Sequence, residues 1–219
     1  MGYLLDRFVE MKSDQGKTIW KHAFYAPIYE EWLNKYVGTE AVLLELGVGK
    51  GGSPQVWQSY LGEKAQVIGL DCDPALFYED PKVKFLVANQ YDRESLKACP
   101  VKDFDVFIDD GSHLSSATIA TFEEMFPRLK NGGLYIIEDV GTSYRKCDFG
   151  GGFRKQGTLI EYFKDAIDIL QSNEWGTALP KEVNMRETMA AYLPIENYDL
   201  LSNISAVTIY TGMIIVKKK

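Results

Sequence analysis

The sequence predicts an α/β fold: a doubly wound, mostly parallel seven-stranded sheet that ends in an antiparallel hairpin. Three observations lead there. Five apolar runs of strand length recur with amphipathic stretches between them, which is how parallel strands covered on both faces read. A glycine-rich stretch stands between the first run and a helical pattern, as in a strand-to-helix turn whose backbone approaches a ligand. The last two runs are separated only by Thr211 and Gly212, and so short a connection makes a hairpin and not a parallel crossover.

In chain order the strands are expected at "AVLLEL" (41–46), "AQVIGL" (65–70), "VKFLV" (83–87), "FDVFI" (104–108), "GLYII" (133–137), "ISAVTIY" (204–210) and "MIIVKK" (213–218). Helices are expected over 53–60, over 115–126, where Ile119, Phe122, Met125 and Phe126 interleave with Thr118 and Thr121, and over 158–171. This alternation is the pattern of a doubly wound sheet. The aromatic stretch "TIWKHAFYAPIYEEWLNKY" (18–36) reads as helix, and the residues up to 38 as a helical cap on the ligand cleft or the sheet. Residues 140–203 exceed an ordinary connection and read as a lid or substrate-facing insertion. The whole is expected to be a single domain, 1–219, because a chain of this size buries a sizeable core without splitting.

Composition narrows the partners. A net charge of -7 opposes a phosphate backbone or an anionic membrane surface, so neither nucleic acid nor membrane is an expected partner. The N-terminal stretch lacks a basic, long-apolar signal pattern, and no run reaches the roughly 20 apolar residues of a membrane span, which leads to the expectation of a soluble cytoplasmic protein. Cys72, Cys99 and Cys147 are odd in number and scattered. They read as reduced structural thiols and match neither a disulfide framework nor a zinc site.

The glycine loop "LELGVGKGGS" meets the pattern GxGxxG at Gly47, Gly49 and Gly52, with Gly51 beside them. Such a loop serves a dinucleotide or, equally, the carboxylate and ribose of S-adenosylmethionine. Glu45 before the loop, Asp71 where a ribose-binding acid belongs, and the closing hairpin favour S-adenosylmethionine. In "VANQYD", Gln90 and Asp92 stand where they could meet the adenosine, and an ordinary strand exit with a helix cap at Asp92 explains them equally well.

Two strand ends are acidic. "FDVFIDDGSH" carries Asp109, Asp110 and His113 to the carboxyl edge of the sheet, and "YIIEDV" carries Glu138 and Asp139 there, the edge at which open α/β sheets bind ligands. If the strands are neighbours, the carboxylates repel one another unless a cation intervenes. Oxygen ligands favour a hard ion, magnesium before calcium or zinc. A neutral imidazole three residues past Asp110 could then accept a proton from a bound hydroxyl. The plainer alternative has His113 capping the following helix while the acids solvate a loop. Phosphoryl transfer is disfavoured because no P-loop lysine accompanies the glycines.

These stretches, with "IGLDCDP", "ANQYD", "YIIEDVGTSY" and "TIYTGMIIVKK", resemble the class I S-adenosylmethionine-dependent methyltransferases. The resemblance is to the magnesium-dependent sugar O-methyltransferases of macrolide biosynthesis and the related cephalosporin hydroxylase-like proteins. It implies a Rossmann-like fold, S-adenosylmethionine and magnesium as cofactors, and methyl transfer to a hydroxyl of a small-molecule acceptor. By position it implies donor binding at Glu45, Gly47, Gly49, Asp71 and Gln90, with Asp109 orienting the donor or the metal site. It further implies metal ligands at Asp110, Glu138 and Asp139, and His113 as the base. The family often assembles, so a homo-oligomer is a further expectation. The chain departs from the family pattern in three places: Gln15 replaces a lysine, His22 stands one residue farther from Tyr25, and Gly141 replaces a larger polar residue. The readings weighed against O-methylation are N-methylation, a non-catalytic S-adenosylmethionine-binding accessory protein, and a nicotinamide oxidoreductase.

Overall fold

A computed structural model describes residues 2–10, 18–146, 149–175, 185–189 and 195–219. Its seven strands are β1 (Val42–Leu46), β2 (Gln66–Asp71), β3 (Val83–Val87), β4 (Phe104–Asp109), β5 (Leu129–Ile137), β6 (Ile204–Tyr210) and β7 (Met213–Lys218). Their order is β3-β2-β1-β4-β5-β7-β6, the expected mixed sheet with a C-terminal antiparallel hairpin. By packing, the chain divides into two compact units, Met1–Ser112 and His113–Lys219.

In the first unit β3, β2, β1 and β4 pair in parallel, with Leu46 beside Leu70 on one side and Asp109 on the other. Leu43, Leu44, Val67, Leu70, Val106, Phe107 and Ile108 are fully buried, which is why these strands read as continuous apolar runs. β3 is more exposed, with Lys84 and Val87 open to solvent. Helix α1 (Tyr3–Glu10), helix α2 (Tyr25–Leu33) and helix α3 (Gly52–Leu61) meet through buried rings. Trp57 of α3 lies 4.7 Å from Tyr29 of α2 and 5.8 Å from Phe8 of α1, centroid to centroid. Helix α4 (Arg93–Ala98) completes the unit.

One expected helix is shorter than the sequence suggested. Residues 18–22 are irregular, and α2 begins only at Tyr25. Pro27 is the reason, since a proline is tolerated in the first turn of a helix but would lose a hydrogen bond and clash further in.

In the second unit β5, β7 and β6 pair antiparallel. Gly212 makes the hairpin turn at φ 75°, and its carbonyl accepts a hydrogen bond from the Val140 N–H at 3.1 Å. Helix α5 (Ser115–Met125), helix α6 (Leu159–Trp175), helix α7 (Met185–Met189) and helix α8 (Ile195–Leu201) make up the helical part. Phe122 of α5 anchors the core against Phe126, Tyr135 and Phe163 at 4.6, 5.0 and 5.1 Å. α6 runs past the expected end at 171. The expected insertion, 140–203, lies partly outside the described residues, as do Gln15 and Cys147. Among the described residues no helix is long and apolar enough to cross a membrane.

Candidate active site

Strand order reverses at β1 and β4, and the glycine loop leaves β1 there. Gly47 has φ +89°, and a Cβ on it would run into the backbone carbonyl of Asp110. Only glycine permits that approach, so the loop lies directly on the exit of β4. Gly49, at φ +50°, faces open space, and its N–H donates to Asp71 Oδ2 at 3.3 Å. Beside them is a cavity of about 310 Å³, lined by Gly47, Gly49, Asp71, Cys72, Asn89, Gln90, Tyr91 and Asp110 among others. That volume is at the lower end of small-ligand sites. Desolvation first, then Asp71, pushes the Cys72 thiol above its ordinary value.

Asp109 is 2% exposed and has a definite local task. Both its oxygens accept from Gln90 Nε2, at 2.8 and 2.9 Å, while Gln90 Oε1 accepts from the Ser112 N–H at 2.7 Å. The network therefore sets which way the Gln90 amide points. Asp92 accepts from the Glu94 N–H at 3.0 Å and caps α4, the plainer of its two readings.

Glu45 is wholly buried and lies beneath the loop. Its Oε2 accepts from Ser53 Oγ, in the first turn of α3, at 2.6 Å. The Lys21 ammonium stands 3.0 Å from its Oε1 and donates to Asp110 Oδ2 at 2.7 Å. Sequence reasoning missed Lys21. A lysine set between Trp20 and His22 in an apolar stretch was the one available hint.

In the second unit the backbone is strained at its first residue, His113, and just past the end of β5. His113 has φ 56° and Asp139 φ 52°, left-handed conformations uncommon outside glycine. His113 Nε2 lies 3.8 Å from Asp139 Oδ2. Thr142 Oγ1 is 2.8 Å from the carbonyl of His113 and 3.0 Å from that of Asp139, so one hydroxyl ties both turns. Glu138 is 3% exposed. The N-cap of α5 is Leu114, with no side-chain capping bond, so His113 is not the helix cap. Of the expected site residues, Glu45, Gly47, Gly49, Asp71, Gln90, Asp109 and Asp110 belong to the first unit, and His113, Glu138 and Asp139 to the second.

Comparison with known proteins bears on both sets. A family profile described as "Methyltransferase domain" matches residues 44–140, from the glycine loop through both acidic strand ends. The chain is 32% identical over 169 residues to 8-demethyl-8-alpha-L-rhamnosyl tetracenomycin-C 2'-O-methyltransferase of Streptomyces olivaceus, spanning 73% of this chain and 44% of that protein. It is 32% identical over 173 residues to mycinamicin VI 2''-O-methyltransferase of Micromonospora griseorubida, spanning 74% and 42%. Among solved structures it is similar to the MycE methyltransferase of the mycinamycin biosynthetic pathway in complex with Mg, SAH and mycinamycin VI. That match has a TM-score of 0.75 and 27% identity, over 98% of this chain and 53% of that one. The chain thus spans about half the length, or less, of the relatives it matches. The methyltransferase-domain profile, together with relatives and a solved structure similar over most of the chain, identifies it as a member of the class I methyltransferases.

Proposed function

We propose that the chain is an S-adenosylmethionine- and magnesium-dependent O-methyltransferase. Its acceptor is a hydroxyl of a small molecule, a sugar or similar vicinal diol of a natural product. The observation that carries the reading is the cavity that opens from the glycine loop onto Asp110, with Asp71 and the locked Gln90 in its walls. A donor fits there: Gly49 faces open space and leaves its backbone uncovered, and Asp71 offers carboxylate oxygens suited to ribose hydroxyls. Gln90, pinned by Asp109, offers a fixed amide to the adenosine. Relatives named as sugar O-methyltransferases, and a neighbour bound to Mg, SAH and a macrolide, support the acceptor class and both cofactors.

Asp110, Glu138 and Asp139 are the residues we assign to the metal. Their oxygens suit a hard ion, and among the described residues no thiolate joins them. When bound, magnesium makes the acceptor hydroxyl more acidic, and S-adenosylmethionine supplies the methyl group. His113 takes the hydroxyl proton on its imidazole, and Asp139, 3.8 Å away, favours the imidazolium that results. The remaining catalytic effect is alignment, because an in-line displacement gains most from holding its reactants in place. The enzyme would act in the cytoplasm, a compartment that keeps thiols such as that of Cys72 reduced. A homo-oligomer is its expected assembly.

The test is methyl transfer from labelled donor to rhamnosylated or deoxysugar-bearing acceptors. Activity should vanish in EDTA and return with magnesium. His113→Ala should lower kcat by about 10² or more while S-adenosylhomocysteine still binds. Full activity in EDTA and in His113→Ala would overturn the mechanism, and methyl on nitrogen in the product would overturn the reaction class.

A further inference from the structure

Lys21 is 2% exposed, which is costly for an ammonium unless its charge is met. Asp110 Oδ2 at 2.7 Å and Glu45 Oε1 at 3.0 Å meet it. The rings of Trp57 and Tyr29, 5.7 and 5.9 Å from Nζ, close the pocket around it. Packing alone does not call for a charge in such a place, since an apolar side chain of similar length would fill it. A second observation ties the segment to the loop. A Cβ on Gly52 would come within 2.9 Å of Ile19 and of the Thr18 carbonyl, so residues 18–19 rest on the first turn of α3. Glu45 is sealed beneath the loop, while Asp110 lines the cavity.

We propose that Lys21 is a positioning residue of the donor site: its buried ammonium, bridging Glu45 and Asp110, fixes the Asp110 carboxylate at the cavity wall. The same bridge clamps residues 18–22 onto the glycine loop. The inference rests on the reading that this cavity takes the methyl donor. Lys21 touches no reacting atom and acts through Asp110. Without it, Glu45 and Asp110 remain close together with a compensating cation removed, and the Asp110 carboxylate turns away from its place at the cavity wall.

Calorimetric titration with S-adenosylhomocysteine tests this on the full chain, at a temperature well below each variant's melting point. Lys21→Met and Lys21→Gln should each weaken binding by about tenfold or more. The double variant Lys21→Met/Asp110→Asn should bind no worse than Asp110→Asn alone, because both changes remove the same effect. Unchanged affinity in a folded Lys21 variant, even one that melts lower, reduces Lys21 to a structural ion pair and overturns the proposal. Additive losses in the double variant overturn it too. If neither single variant folds, the wild type still decides: labelled at lysine Nζ, its slowly exchanging ammonium signal must shift when S-adenosylhomocysteine is added, and a static signal counts against the proposal. A wild type that binds no S-adenosylhomocysteine overturns the donor-site reading itself, and the inference falls with it.

Discussion

Thr142 shows how a single hydroxyl holds strained backbone at a site. His113 and Asp139 both sit at positive φ, each at a cost of about 1–2 kcal/mol. Thr142 Oγ1 reaches the carbonyls of both. Thr142→Val keeps the shape and removes the hydroxyl. It should lower stability by about 1–2 kcal/mol in urea denaturation and reduce kcat, because His113 loses its fixed backbone; Thr142→Ser should restore both. A valine variant with wild-type kcat would show that the tie is not what orients His113. At this scale the sequence made the acids and His113 legible, because two aspartates and a histidine end a buried run. It left Lys21 and the task of Asp109 hidden. Lys21 is 89 residues from Asp110, and no periodicity reports a pairing across such a distance.

Among elements, the turn from β1 to α3 concentrates the constraints. Gly47 and Gly49 share positive φ, but Gly47 presses on the Asp110 backbone while Gly49 faces open space. Gly47→Ala should therefore cost about 2–4 kcal/mol, from strain plus collision with backbone that cannot move aside. Gly49→Ala should cost only about 1 kcal/mol but intrude on the cavity and weaken S-adenosylhomocysteine binding. Urea midpoints and calorimetry on the two variants separate these effects; equal stability losses would contradict the difference in surroundings. The strands were legible because their apolar runs reflect burial on both faces. The start of α2 was not, because helix-like aromatic spacing over 18–24 competes with Pro27, which allows the helix only from its own first turn onward.

For the whole molecule, pH dependence is the accessible observable. Burial first, then Asp105, pushes the Tyr36 phenol up to about 12. Burial, then Asp80 and Glu45, raises Tyr78 as well, whose hydroxyl donates to the Gly51 carbonyl at 2.8 Å. An acid raised on folding favours the neutral form in the fold. Its stabilisation is thus complete below the ordinary phenol range near pH 10 and is lost as pH climbs toward 12 and beyond. The urea midpoint should fall above pH 10, and the Tyr36→Phe/Tyr78→Phe variant should fall less steeply. Parallel slopes for variant and wild type would refute the assignment.

By itself the sequence determined the class of fold, the strand order's terminal hairpin, the glycine loop and the two acidic strand ends. Each is written in local pattern: burial on both faces, a two-residue turn, residues adjacent in the chain. Only tertiary structure decided that Glu45 is sealed beneath the loop by Ser53 and Lys21, and that Asp109 serves Gln90. It also decided that Gly47 is required by the carbonyl of Asp110 and not by the turn alone. These are contacts between distant parts of the chain, set by where the parallel strands bring their ends together, and a one-dimensional pattern carries no record of them.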